Sequence, residues 1–327
     1  LDKKKVIMDV DTGDDDAIAL MAAALSGKLD ILGVTVVHGN LPLENTVENT
    51  LRLIEFLKMD IPVYPGCPEP IVQYLTPGRT MNVRRQTTNK KIDGKKISIH
   101  SEFLNLPPAK RVAQSKHACS FIVETLKAAT EKITIIAVGP LTNIGMALRM
   151  DPSIMENIEE IAIMGGAVTA GNRTPVAEAN FHDDPEAAQI VLKSGCKLKI
   201  FTLEATETFK FSQNDLNALK KCSAAGAFAS EISENFIERL NLLGFRTENS
   251  VTVHDLSTVC GVVEPNCVLE MRHEACDVEI GGGWGDGQLI IDRRAFATTP
   301  SEPVFIVYKM DAELCMRTTL DAYTNYS

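Results

Sequence analysis

The stretch Met8-Asp9-Val10-Asp11-Thr12-Gly13-Asp14-Asp15-Asp16-Ala17 puts five aspartates into eight residues, directly after the apolar run Val6-Ile7-Met8. Carboxylates packed this closely repel one another and must be protonated or compensated. Part of the density suits a helix start, because acidic side chains in a first turn gain about 0.3–1 kcal/mol each from the helix dipole. That accounts for two of Asp14, Asp15 and Asp16. Asp9 and Asp11 precede the helix, and no lysine or arginine is close in sequence after Lys5. An all-oxygen carboxylate set suits Ca²⁺ or Mg²⁺ and not zinc. The stretch therefore reads as a cation site, with helix capping plus solvent as the plainer alternative.

Such a site needs elements to position it. "KKVIMDV" reads as a strand, and "DDDAIALMAAALSG" as a helix with Ile18, Met21, Ala22 and Leu25 on one face. "ILGVTVV" is a second strand, and "LENTVENTLRLIEFLK" a helix with Val47, Leu51, Ile54 and Leu57 in step. "IPVY", "ITIIAV", "IEEIAIM" and "KLKIFT" continue the alternation. Apolar strands alternating with helices predict an α/β fold: an open, mainly parallel, Rossmann-like central sheet with helices on both faces. From Val268 onward "VLEMRHEACDVEIG", "GQLIIDRR" and "VFIVYKM" predict extra C-terminal β-strands, antiparallel and at an edge. Residues 66–110 are rich in Pro, Gly, Asn and charge without periodicity, as in a long functional loop. With no linker and no repeat, residues 1–327 are expected to form a single domain.

Ligands of open α/β sheets sit outside the carboxyl ends of the strands. Polar groups recur there: Asp9 and Asp11 after the first strand, His38-Gly39-Asn40 after the second, Gly139-Pro140-Leu141-Thr142-Asn143 after "ITIIAV", and Gly165-Gly166 with Asn172, Glu178, Asn180 and His182 after "IAIM". The pattern aims them all at one rim.

Composition narrows the partners. The chain has 327 residues, 45% hydrophobic, with a formal net charge of −10. Nothing offers the basic stripe that a nucleic-acid backbone requires. No apolar run is long enough to span a bilayer. The eight cysteines form no C-x-x-C pair, and Cys260, Cys267 and Cys276 lack zinc-ligand spacing, so they read as free thiols in a reducing compartment. A cytoplasmic location is the expectation. Three function classes fit these residues: a phosphatase of the haloacid-dehalogenase kind with Asp9-Val10-Asp11 as its D-x-D, a metal-dependent glycosidase, and a calcium-stabilised binding protein.

The aspartate stretch resembles the D-x-D-x-G-x-D-D motif of the nucleoside hydrolases, the inosine-uridine-preferring family. "TVVHGN", "AVGPLTNIGMAL", "IAIMGGAVTAGNRTPVAEANFHDDPEAA" and "VHDLSTV" resemble further motifs of that family in the same order. The resemblance implies hydrolysis of ribonucleosides to free base and ribose with inversion. It implies a Ca²⁺ site of Asp11, Asp16, Asp255 and the main-chain carbonyl of Val138, with Asp11 also the base that activates water. It places Asp15, Asn180 and Asp255 on the 2′- and 3′-hydroxyls, Asn172 and Glu178 on the 5′-hydroxyl, and Asn40 beside the water. Asp9 would support this group from behind, and Asp14 would be a helix-start residue. His254 is the expected acid towards the leaving base, His100 lies near the base pocket, Met164 lines the ribose floor or the core, and His182 is structural. The family suggests homodimers or homotetramers.

The chain also departs from the pattern. Its one tryptophan, Trp284, cannot form the two-tryptophan sandwich of some purine-specific members, and Ala179 replaces an aromatic residue. "IHSEF" differs from the common Ile-His-Gly-Glu. Inosine and guanosine are the expected substrates, with broad purine and pyrimidine use as the alternative.

Overall fold

The computed structural model describes residues 3–72, 75, 89–92, 95–245, 249–295 and 303–326. The chain begins β1 (Lys4–Val10), α1 (Asp14–Leu25), β2 (Leu29–Val36), α2 (Leu43–Phe56) and β3 (Val63–Pro65). A two-stranded ribbon, β4 (Asn89–Ile92) and β5 (Lys95–Ser98), falls inside the segment expected to be loop. Residues 73–74, 76–88 and 93–94 of that segment lie outside the described residues. The alternation resumes with α3 (Ala118–Ala128), β6 (Ile133–Ala137), α4 (Thr142–Met150), β7 (Ile158–Met164), α5 (Ala179–Asp183), α6 (Pro185–Leu192) and β8 (Leu198–Phe201). Then follow α7 (Leu203–Thr206), β9 (Lys210–Phe211), α8 (Gln213–Cys222), α9 (Ala224–Leu243), β10 (Val251–Thr252) and α10 (His254–Val263). The last elements are β11 (Val268–His273), β12 (Cys276–Val278), β13 (Leu289–Ile291), β14 (Val304–Met310) and α11 (Ala312–Thr324).

Eight strands form one sheet in the order β11-β14-β8-β7-β6-β1-β2-β3. All neighbours are parallel except β11, which runs antiparallel on β14 at the edge. The first six parallel strands have the doubly wound order 3-2-1-4-5-6, whose direction of winding reverses between β1 and β6. The C-terminal strands are thus present but divide three ways. β14 continues the parallel sheet beside β8, β11 caps it, and β12 pairs with β13 in a separate ribbon.

Period-two alternation along β1 feeds two cores. Val6, Met8 and Val10 join the apolar cluster under α1, α2, α9, α10 and α11, while Ile7 joins the one under α3, α4 and α6. Helix α1 is buried nearly all round, not on one stripe; only Asp15 and Ala24 escape full burial. Its alanines allow this, because α9, α10 and α11 can all approach it closely. An element wedged this tightly fixes the direction of its first turn.

Candidate active site

The loop between β1 and α1 sits at the point where the winding reverses, and its carboxylates are held by main-chain amides. Asp16, in the first turn of α1, accepts from the amides of Gly13 and Asp11 at 3.0 Å each, and from Asn40 Nδ2 at 3.0 Å. Asp11 Oδ2 accepts from the Asn40 amide at 2.6 Å. A Cβ on Gly39 would lie 2.0 Å from Asp11 Oδ2, and one on Gly139 2.7 Å from Asp11 Oδ1. The glycines of "HGN" and "VGP" are therefore required by the close passage of Asp11.

Asp255, in the first turn of α10, completes the group. Ligand oxygens of Asp15, Asp16 and Asp255 all lie within 4.8 Å of one another. Asp11, Asp16 and Asp255 are buried, at 1%, 0% and 3% exposure, which is rare for carboxylates without a counter-charge. Burial, then repulsion from Asp16, pushes Asp11 well above the usual carboxylate range. Burial, then Asp15, pushes Asp16 up to about 6, and burial, then Asp15, Asp16 and Asp11, raises Asp255. Asp11 Oδ1 and Asp15 Oδ1 are buried without a hydrogen-bond partner. Orphaned oxygens and mutual repulsion are what a bound cation relieves. The donor set, all carboxylate, fits a hard divalent ion.

Asp9 lies behind the rim. Its Oδ1 accepts from Thr35 Oγ1 at 2.5 Å and Asn143 Nδ2 at 2.9 Å, and burial raises it to about 7. Asn180 donates from Nδ2 to the carbonyls of Val138 at 2.8 Å and Met164 at 3.1 Å, and Met164 itself is buried. Glu178 caps α5: Oε1 accepts from the Asn180 amide at 2.8 Å, and Oε2 from Gly166 and Phe181 at 3.0 and 3.2 Å. Burial nonetheless lifts it to about 7. Asn172 is exposed and accepts from the Ala179 amide at 2.9 Å.

Two histidines border the carboxylates. His254 Nδ1 shares a hydrogen bond with Thr206 Oγ1 at 2.7 Å, and burial lowers its pKa against the opposing pull of Asp15. His100, just beyond β5, stacks on Phe236 of α9 at 5.7 Å. Burial acts to lower it, but Asp14, Asp15 and Asp16 outweigh burial and raise it. His182 is buried beside Asp183 at 3.8 Å.

Asp14 turns out to be more than a helix-start residue. It is buried, and Arg239 Nη2 of α9 stands 2.7 Å from its Oδ2. His100 Nδ1 is 3.4 Å away, and the Ser101 amide donates to the same oxygen at 3.3 Å. Arg239 Nε also donates to the Ile99 carbonyl at 2.8 Å. Arg239 and Thr206 had no signal in the sequence, because each meets its partner from a distant element.

Comparisons with known proteins place the whole chain. Residues 6–317 match the family model "Inosine-uridine preferring nucleoside hydrolase". The chain is 33% identical over 302 residues to the pyrimidine-specific ribonucleoside hydrolase RihB of Escherichia coli (strain SE11), covering 92% of this chain and 91% of RihB. The fold is similar to the plant nucleoside hydrolase PpNRh1, with a TM-score of 0.83, 26% identity and 99% of each chain covered. It is also similar to an inosine-guanosine nucleoside hydrolase, with a TM-score of 0.84, 25% identity and 100% of each chain covered. A carboxylate rim at the reversal of the sheet and a family match from β1 into α11 lead to one assignment: the chain belongs to the inosine-uridine preferring nucleoside hydrolase family of N-glycosyl hydrolases.

Proposed function

We propose that the chain, acting as one domain, hydrolyses the N-glycosidic bond of ribonucleosides in a Ca²⁺-dependent reaction that inverts the anomeric carbon. The observation that carries this reading is the convergence of Asp11, Asp15, Asp16 and Asp255 at the sheet reversal, with carboxylate oxygens left without partners. Asp11, Asp16, Asp255 and the Val138 carbonyl would hold the ion. When bound, calcium supplies Lewis acidity towards water and neutralises the carboxylates.

The residues divide the remaining work. Asp11 takes the proton of the attacking water, and Asn40, already bonded to Asp11 and Asp16, orients that water. Asp15, Asp255 and Asn180 hold the 2′- and 3′-hydroxyls. Asn172 and Glu178 hold the 5′-hydroxyl, giving binding energy away from the bond that breaks. The carboxylates stabilise the oxocarbenium character of the ribose, as in other glycosidases. His254, with Nδ1 engaged by Thr206, delivers a proton from Nε2 to the departing base. His100 flanks the base, and Met164 closes the ribose floor.

Inosine and guanosine are the first substrates proposed, and the departures at Ala179 and in "IHSEF" leave the base pocket open to other bases. RihB, named as pyrimidine-specific, supports a second reading in which uridine and cytidine are used as well. The protein is read as a cytoplasmic homodimer or homotetramer with a role in purine salvage. Among the described residues no helix is long and apolar enough to cross a membrane.

The test is free-ribose release from inosine, guanosine, adenosine, uridine and cytidine without phosphate, before and after chelation with calcium add-back. Calcium-restored ribose supports the reading, and the ranking decides base preference. No ribose from any substrate by folded, calcium-loaded protein would sink it and favour the phosphatase or binding-protein alternatives.

A further inference from the structure

Three donor atoms away from the carboxylate rim gather without a role in the reaction proposed above. Cys67 follows β3, His117 caps α3, and Cys119 lies in the first turn of α3. One ligand atom from each lies within 4.8 Å of the others. The two sulfurs are 3.9 Å apart. Two thiolates, each about 2.3 Å from one tetrahedral zinc, stand about 3.8 Å apart, so this pair already has the spacing of two ligands on one ion. A disulfide needs about 2.05 Å between the sulfurs, a much larger move. Cys119 is buried, Cys67 half-buried and His117 exposed. The sulfurs thus form the inner wall of the site, and the imidazole stands on the solvent side.

We propose that Cys67, Cys119 and His117 form a second metal site, for Zn²⁺, with a water as fourth ligand. Soft thiolates and imidazole select such an ion, where the carboxylate rim selects a hard one. Binding releases both thiol protons to solvent. Cys119 Sγ then gives up its contact with the Asn143 carbonyl at 3.4 Å. His117 gives up the Cys119 amide, which its Nδ1 accepts at 3.2 Å, because a metal-bound neutral imidazole keeps no free lone pair. That amide is a first-turn donor which water can satisfy. The site adjoins the catalytic side of the sheet through one residue. Asn143 accepts from the Cys67 amide at 2.8 Å and donates to Asp9 at 2.9 Å.

The test uses Co²⁺ as a spectroscopic probe on the full chain, with thiols reduced and Ca²⁺ in excess to occupy the carboxylate rim. One equivalent of Co²⁺ should give a near-ultraviolet thiolate-to-cobalt band and tetrahedral visible bands, both removed by Zn²⁺. Cys67→Ser and Cys119→Ser should each abolish the thiolate band, and His117→Ala should weaken binding at least about tenfold. No thiolate band in the wild type under a Co²⁺ excess overturns the proposal, and this needs no variant to fold. A band that survives both serine variants also overturns it by placing the ion on other thiols, such as buried Cys260, Cys267 and Cys315. The readout is optical, so its result is independent of whether nucleosides are hydrolysed.

Discussion

Asp14 and Asp15 are adjacent in sequence, open the same helix and meet opposite fates. Asp14 faces α9 and receives Arg239 at 2.7 Å with His100 at 3.4 Å. Asp15 faces Asp16 and Asp255 and keeps a buried oxygen without a partner. A rotation of about 100° per residue separates their directions, and α9 supplies its cation on only one of them. The same run of charge therefore holds a neutralised part that ties α9 and the His100 segment to α1, and a part with its charge left for a ligand. Carboxylates that the protein itself compensates are structural; those it leaves uncompensated at a strand end are the candidates for chemistry.

Four experiments test that contrast. The largest effect is expected on the uncompensated side. Asp11→Ala should lower turnover roughly 10⁴-fold, with the fold and nucleoside binding largely kept, as for loss of a general base. Stopped assays for free ribose alongside ligand titration would show it, and near-normal turnover would remove Asp11 as the base.

The compensated side should respond in stability. Arg239→Ala strands the buried Asp14 carboxylate and should cost roughly 3–5 kcal/mol, as when one partner of a buried pair is lost. Asp14→Asn on that background should recover much of the loss. Denaturant melts measure both, and a single variant as stable as the parent would mean that the pair does not hold the helices together.

Glu178 offers a pH test between these extremes. Its pKa rises from 4.5 to about 7 on folding, so the folded state binds the extra proton between those values. Stability should therefore fall as pH rises from about 4.5 to 7, by roughly 3 kcal/mol from this group at most. Glu178→Gln should flatten that part of the profile. A slope unchanged in thermal melts across this range would show that Glu178 is ionised already in the folded protein at low pH.

The smallest effect is expected at His254. His254→Ala should slow inosine about 10²-fold and leave p-nitrophenyl riboside nearly untouched, because that leaving group departs without a proton. Equal losses on both substrates would argue that the imidazole holds structure rather than a proton.

Much of the fold was legible before any coordinates. The alternation from "KKVIMDV" to "KLKIFT" predicts a parallel sheet, and parallel strands buried on both faces carry that pattern plainly. The C-terminal strands were harder: "VFIVYKM" has the composition of either an edge or a central strand, and only its neighbours make β14 parallel to β8. The ribbon β4–β5 was hidden because lysine-rich strands lack apolar alternation. In the rim, Asp11, Asp15 and Asp16 were visible as a local run, and Asp255 through its motif. Cys67 and Cys119 showed nothing, since their approach joins positions 52 apart.

What the residues determined on their own is the kind of chemistry at hand: a carboxylate excess at a strand end, glycines where a backbone must pass closely, and an α/β order that brings polar strand ends to one rim. These are properties of local spacing and period, which a chain carries wherever it is placed. Which aspartate receives Arg239, which keeps an unpaired oxygen, and which cysteine joins the local His117–Cys119 pair were decided only by tertiary packing. Those outcomes depend on the rotation of α1 against α9 and of α3 against the end of β3, and helix packing fixes that rotation through contacts made far along the chain.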